Sequence, residues 1–201
     1  MPEIVQRAAQ EAIAKGENSY TRYDGIDALR KAIARKVKRH AGLKADPERE
    51  IIVSAGATGA FYCACLALLN PGDEVILFEP YYGYHVQTLL ACEVKPRYAK
   101  LTAPSWSIDE RSLARAMTKK TRGIMINTPA NPTGKVFTRD ELAMLAKIAT
   151  KHDLVVFTDE IYEHFTYDGR EHVSPAVVPG LRERCVAISG LSKTFSVTGW
   201  R

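Results

Sequence analysis

The 201 residues include 28 Lys and Arg against 23 Asp and Glu, a formal charge of +5, and they are 46% hydrophobic and 25% charged. That balance is ordinary for a globular chain long enough to bury a substantial core, and it excludes a disordered, collagen-like or disulfide-built protein. No apolar run reaches the roughly 18–20 residues of a membrane span, and none of the four cysteines forms a Cys-x-x-Cys pair. Neither a bilayer nor a zinc site is expected, and reduced thiols together with a first segment lacking a signal core predict a cytoplasmic protein.

Residues 26–40 predict an amphipathic helix ended near Gly42, with Leu29, Ile33 and Val37 on one face. Its basic stretch RKAIARKVKR (30–39) reads as the solvated side of that helix, since no nucleic-acid motif accompanies it. IIVS (51–54) predicts a short strand, and AGATGAFYCACLALL (55–69) a glycine-led apolar helix. After the Pro71-Gly72-Asp73 turn, EVILF (74–78) predicts a buried strand, 86–90 a helix, and 93–98 a strand weakened by Pro96. Ser107 or Asp109 is placed to cap a short helix to Met117, and GIMIN (123–127) is the next strand. TPANPTGK (128–135) must be loop, and Thr138 with Glu141 forms a capping box opening a helix to about Lys151. LVVFT (154–158) and CVAIS (185–189) complete the strands. Strands alternating with helices predict an α/β fold, a mostly parallel sheet with helices on both faces.

In such sheets ligands gather beyond the carboxyl ends of the strands, and the chemically interesting residues cluster there. Gly56-Ala57-Thr58 follows the strand expected at 51–54, Tyr81-Tyr82 follows 74–78, and Asn131 follows 123–127. Asp159 and Tyr162 follow 154–158, and Lys193 follows 185–189. Gly-Ala-Thr at a helix start offers free N–H groups and a positive helix end to an anion, with Thr58, Ser192 and Arg201 as further donors. A lysine able to react, a carboxylate at the end of an apolar strand, a phenol and a phosphate anchor together match pyridoxal 5′-phosphate. The lysine bonds the aldehyde, the carboxylate keeps the pyridine nitrogen protonated, and the phenol and an amide hold the 3′-oxygen.

The motifs AGATGA, EPYYGY, NTPANPTGK, TDEIYEHFTYDG and SGLSKTFSVTGWR, in this order and spacing, resemble the class I/II aminotransferases, which are fold-type I pyridoxal-phosphate enzymes. The resemblance implies a Schiff-base and proton-shuttle role for Lys193 and a pyridine-nitrogen partner in Asp159. It implies that Tyr162 and Asn131 donate to the 3′-oxygen and that the ring of Tyr82 stacks on the cofactor. Ala57, Thr58, Ser192 and Arg201 match the phosphate cradle, and Tyr20 resembles the tyrosine that reaches the phosphate of a neighbouring subunit, which implies a homodimer. Gly190 stands where many relatives carry a phosphate-binding serine. Residues 1–24 are expected to be an interface arm and 25–201 an incomplete cofactor-binding large domain, without the C-terminal small domain and its carboxylate-gripping arginine. The implied reaction moves an amino group from an L-amino acid to a 2-oxo acid. A carbon–sulfur lyase or decarboxylase on the same scaffold, or a non-catalytic cofactor-binding or dimerising fragment, are the alternatives.

Overall fold

The computed structural model describes residues 1–200. Arg201, expected to contact phosphate, lies outside the described residues. The chain divides into two compact units, one formed by Met1–Gly56 with the segment from Gly190 onward, the other by Ala57–Ser189.

The first unit holds α1 (Glu3–Ala14) and α2 (Asp27–Ala41). α2 ends as predicted: Gly42 takes a left-handed φ of 70°, and its N–H and that of Leu43 return to Lys38 O and Val37 O. Arg30 on α2 is wholly buried and organises the loops beside it. Its guanidinium donates to Gly25 O (3.1 Å), Pro47 O (2.7 Å) and Asp27 Oδ1 (2.5 Å), and it pairs with Glu48 and Asp24. A planar five-donor fork suits this crowd of acceptors, which a lysine would leave partly unmatched. Arg22 also grips Asp24 through two bonds, and these hold the Asp24 carboxyl below its ordinary range.

Residues 51–54 do not form the expected strand. The stretch is extended, but no ladder includes it; Val53 N donates instead to Asp24 O (3.0 Å). β-branched residues favour an extended backbone, yet a strand also requires a neighbouring edge, which local propensity does not supply. Anion binding by the Gly56-Ala57-Thr58 segment therefore does not rest on a preceding sheet strand.

The second unit begins with α3, whose helix runs Gly56–Leu68, and holds β1 (Glu74–Glu79), α4 (Gly83–Ala91), β2 (Lys95–Thr102) and β3 (Ser107–Ile108). It continues through α5 (Glu110–Ala116), β4 (Thr121–Asn127), α6 (Arg139–Lys151), β5 (Val155–Asp159) and β6 (Cys185–Ile188). The sheet order is β3-β2-β1-β4-β5-β6, parallel throughout except for the short β2/β3 pair. Asp109 supplies the α5 cap by accepting from Ser112 N, and Thr138 and Glu141 form the full capping box of α6. β2 is longer than predicted. Pro96 pairs in register with Val75 at the stretch of β2 that β3 does not reach, where a missing N–H costs no ladder bond.

Alternating side chains sort into two cores. Ile76, Phe78, Ile124, Ile126 and Val156 pack with Leu113 of α5 and Leu142 and Leu145 of α6. Val75, Leu77, Met125 and Phe157 pack with Phe61 and Cys65 of α3 and Leu89 of α4. Both faces of the central strands are covered, as parallel sheets require. Gly123 lets β4 pass close to its neighbours, since a Cβ there would lie 3.1 Å from the Phe157 ring and 3.2 Å from Val155 O.

Burial pushes the Cys185 thiol up to about 12, with Glu160 adding to the effect, and burial beside Cys92 does the same to Cys65. The folded state thus keeps protons that the unfolded chain releases above the thiols' ordinary value of 9.0. Stability from these groups is complete below that value and declines as pH rises towards about 12, so urea midpoints should fall across this window and fall less in a Cys65→Ala/Cys185→Ala variant. In the first unit, Gly25 has φ +101° and a Cβ there would sit 2.6 Å from Val53 Cγ2. Gly25→Ala should cost about 1–3 kcal/mol in a denaturant titration.

Candidate functional site

Asp159 closes β5, and strand alternation turns it to the same face as Phe157, towards α4. There its Oδ2 meets Nε2 of His85 at 2.9 Å, while Oδ1 accepts from Ile161 N at 3.2 Å. Both side chains are buried. An ionised carboxylate can be kept in such a place only with donors around it. His85 supplies one and the Asp159–Ile161 turn another. A carboxylate has about four lone-pair sites, so capacity for a further donor remains.

His85 is itself wedged by rings. Phe61 meets it edge-on with centroids 5.5 Å apart, and Tyr82 does so at 5.4 Å. Tyr82 occupies the cap position of α4, half-buried, so the imidazole that touches Asp159 also fixes the tyrosine expected to stack.

The loop after β4 approaches the same strand end. Asn127 Nδ2 donates to Asp159 O (3.0 Å) and Thr128 N donates to the same oxygen (3.0 Å). Asn131 N donates to Asn127 Oδ1 (2.8 Å), which pulls the loop into a tight turn with cis bonds before Pro129 and Pro132. Asn131 and Tyr82 line one shallow pocket together with Tyr81, His85 and Asn127. Behind this turn, buried Lys135 is neutralised by Glu141 at 2.7 Å and lies over the Phe137 ring, tying the loop to the start of α6.

Of the residues expected from sequence, Tyr82, Asn131 and Asp159 are therefore brought together through His85 and Asn127. Tyr162 follows in the turn after β5, half-buried, its ring edge-on to Phe165 at 5.9 Å. Ala57 and Thr58 lie in the first turn of α3, which carries no acidic residue to compete for its free N–H groups. Ser192, Lys193 and Tyr20 belong to the first unit. Lys193 is half-buried in a turn closed by Val197 N to Ser192 O (3.0 Å) and Ser196 N to Lys193 O (3.3 Å), with Ser196 at a positive φ of 53°. Tyr20 is fully exposed.

Sequence reading missed His85 and Asn127. Each bonds a residue far along the chain, His85 74 positions from Asp159 and Asn127 32. The usable signal was indirect: a buried strand-end acid demands a donor, and a histidine sits just ahead of the predicted 86–90 helix.

The model of the family "Aminotransferase class I and II" matches residues 1–201. The chain belongs to that family. It is 42% identical over 203 residues to a probable N-succinyldiaminopimelate aminotransferase of Mycobacterium tuberculosis, covering all of this chain and 51% of that protein. It is 36% identical to human kynurenine–oxoglutarate transaminase 1, covering all of this chain and 50% of that one. The solved structure of the M. tuberculosis N-succinyldiaminopimelate aminotransferase superposes with a TM-score of 0.95 at 41% identity, over 99% of this chain and 52% of the other. An aromatic aminotransferase from Pyrococcus horikoshii gives 0.96 at 38%, over 100% and 54%. The chain thus spans about half the length of the curated relatives it matches. The six-stranded, mostly parallel sheet is that of the large domain in this family.

His85→Ala leaves the Asp159 carboxylate without its side-chain donor and should lower stability by about 1–3 kcal/mol. His85→Gln, which can keep an N–H in place, should recover part of the loss, and urea unfolding of the two variants measures the difference.

Proposed function

We propose that the protein carrying this chain is a pyridoxal-phosphate-dependent aminotransferase that moves an amino group from an L-amino acid to a 2-oxo acid, in the cytoplasm and as a homodimer. The observation that carries the reading is the buried Asp159 carboxylate, held by His85 at the carboxyl end of a parallel strand with room for one more donor. A ring nitrogen that must stay protonated needs such a partner. The donor set fits the rest of the group: an acid-free helix start for a phosphate, an amide and a phenol for a ring oxygen, and an aromatic side chain beside the acid's own imidazole.

When bound, the cofactor supplies an electron sink for the pair released at the substrate's α-carbon. Asp159 would hold the proton on the ring nitrogen, and His85 keeps that carboxyl group oriented. Asn131 and Tyr162 would donate to the 3′-oxygen, Tyr82 would supply the aromatic face, and Ala57, Thr58, Ser192 and Arg201 would hold the phosphate. Lys193 would hold the cofactor through its aldehyde, and its amine would serve as the base that moves the proton at the substrate's α-carbon. Residues 1–24 serve as an interface arm through which Tyr20 reaches the phosphate of the second subunit, and residues 25–201 form the cofactor-binding domain. The full exposure of Tyr20 leaves its hydroxyl available to a second subunit.

The test uses the full-length protein with pyridoxal phosphate. Wild type should show the cofactor's visible band and yield oxo acid from an amino-acid donor. Lys193→Ala should abolish both, and Asp159→Asn should lower kcat by about a hundredfold or more. A band unchanged by Lys193→Ala defeats the assignment. Release of ammonia and pyruvate in place of amino transfer replaces it with a lyase.

A further inference from the structure

Glu160 stands next to Asp159 and faces the other way. With Thr158 it points to the side of the sheet covered by α5 and α6, and it is only 4% exposed. Asp159 is the family-type site residue of the pair; Glu160 has no place in that chemistry. A second buried carboxylate one residue from the first is costly unless fully bonded. It is fully bonded. Oε1 accepts from Thr158 Oγ1 (2.7 Å) and Ser174 Oγ (3.0 Å), and Oε2 accepts from His172 Nε2 (2.8 Å).

Two of those donors come from 12 and 14 residues downstream. Between them Val173 is buried in the α5/α6 core, so the donors are carried on an anchored backbone. The carboxylate thereby closes the loop 161–171, which begins with the buried Ile161 and half-buried Tyr162 and contains no helix or strand among the described residues. Backbone bonds pin the same residue: Glu160 N donates to Ile188 O of β6 (2.8 Å), and Glu163 N donates to Glu160 O (2.9 Å). His172 Nδ1 is buried without a partner, so the ring is committed to its one bond with Glu160.

We propose that Glu160, held by His172 and Ser174, is a positioning residue that sets the direction of the Asp159 carboxylate and the place of Tyr162. This rests on the reading of Asp159 and Tyr162 given under Proposed function. The two adjacent acids brace one peptide turn from opposite faces of the sheet. The two residues share one peptide unit, so the backbone from which the Asp159 side chain leaves cannot turn without drawing Glu160 off its three donors. Loss of His172 takes one of three donors from Glu160 and loosens the turn that carries Asp159 and Tyr162.

The test compares wild type, His172→Ala, His172→Gln and Ser174→Ala in the full-length protein. Amide hydrogen exchange without cofactor should rise about tenfold or more at residues 161–163 in His172→Ala while the β1 and α6 amides stay as in wild type. With pyridoxal phosphate, His172→Ala should lower kcat about tenfold or more with KM little changed, and shift the pH midpoint of the cofactor's absorbance. His172→Gln, which keeps an N–H near the Nε2 position, should restore all three, and Ser174→Ala should move them by a smaller amount in the same direction. Exchange at 161–163 equal to wild type overturns the proposal. So does a His172→Ala protein with a lower Tm but unchanged kcat and midpoint. Should His172→Ala fail to fold, Ser174→Ala decides, and no change there overturns the proposal. A wild type with no visible band defeats the aminotransferase reading itself, a result separate from the cofactor-free exchange, which judges the brace alone.

Discussion

Burying a carboxylate is the constraint around which the site is organised. At the end of β5 two acids in succession are taken out of water, and strand alternation sends them to opposite faces of the sheet. Each must then recruit donors from whatever packs on its side. Asp159 finds an imidazole on α4, which brings Tyr82 with it. Glu160 finds a threonine on its own strand and a histidine and serine on a returning loop. Electrostatic necessity thus links α4, the loop after β4, β5 and the 171–174 segment into one set.

The parallel sheet makes that set possible. Parallel strands deliver their carboxyl ends to a common edge, so the connections leaving β1, β4 and β5 start side by side. The cores behind them are apolar and closely packed on both faces, which leaves the polar groups at the edge little freedom to rearrange. Asn127 shows the economy of the arrangement: one amide side chain bonds the Asp159 carbonyl and the Asn131 amide, holding two loops in register.

In the first unit a similar principle acts with the charges reversed. Arg30 is a wholly buried cation surrounded by carbonyls and carboxylates from two loop segments and the first residue of α2. Its five donors define how those loops fold onto α2, and Gly25 allows the chain to pass where any side chain would strike Val53. The exposed Tyr20 and the half-buried Lys193 belong to this unit, whose architecture rests more on ion pairing than on an apolar core.

Sequence alone determined the elements whose signals are local. The capping box at Thr138 and Glu141, the Gly42 stop, the apolar runs of β1, β4 and β5 and the alternation that dictates a parallel sheet all follow from side chains acting within a few residues of one another. The ordered motifs likewise mark Asp159, Asn131, Tyr82 and Lys193, because each falls in a recognisable stretch. Residues 51–54 read wrongly for the same reason: their β-branched character dictates an extended backbone, but the sheet edge that would have made a strand is a matter of packing. Only the tertiary structure decided that His85 answers Asp159 and that His172 and Ser174 answer Glu160. Those partners lie up to 74 residues apart, and a buried charge states that it needs a donor without stating which one the fold will bring.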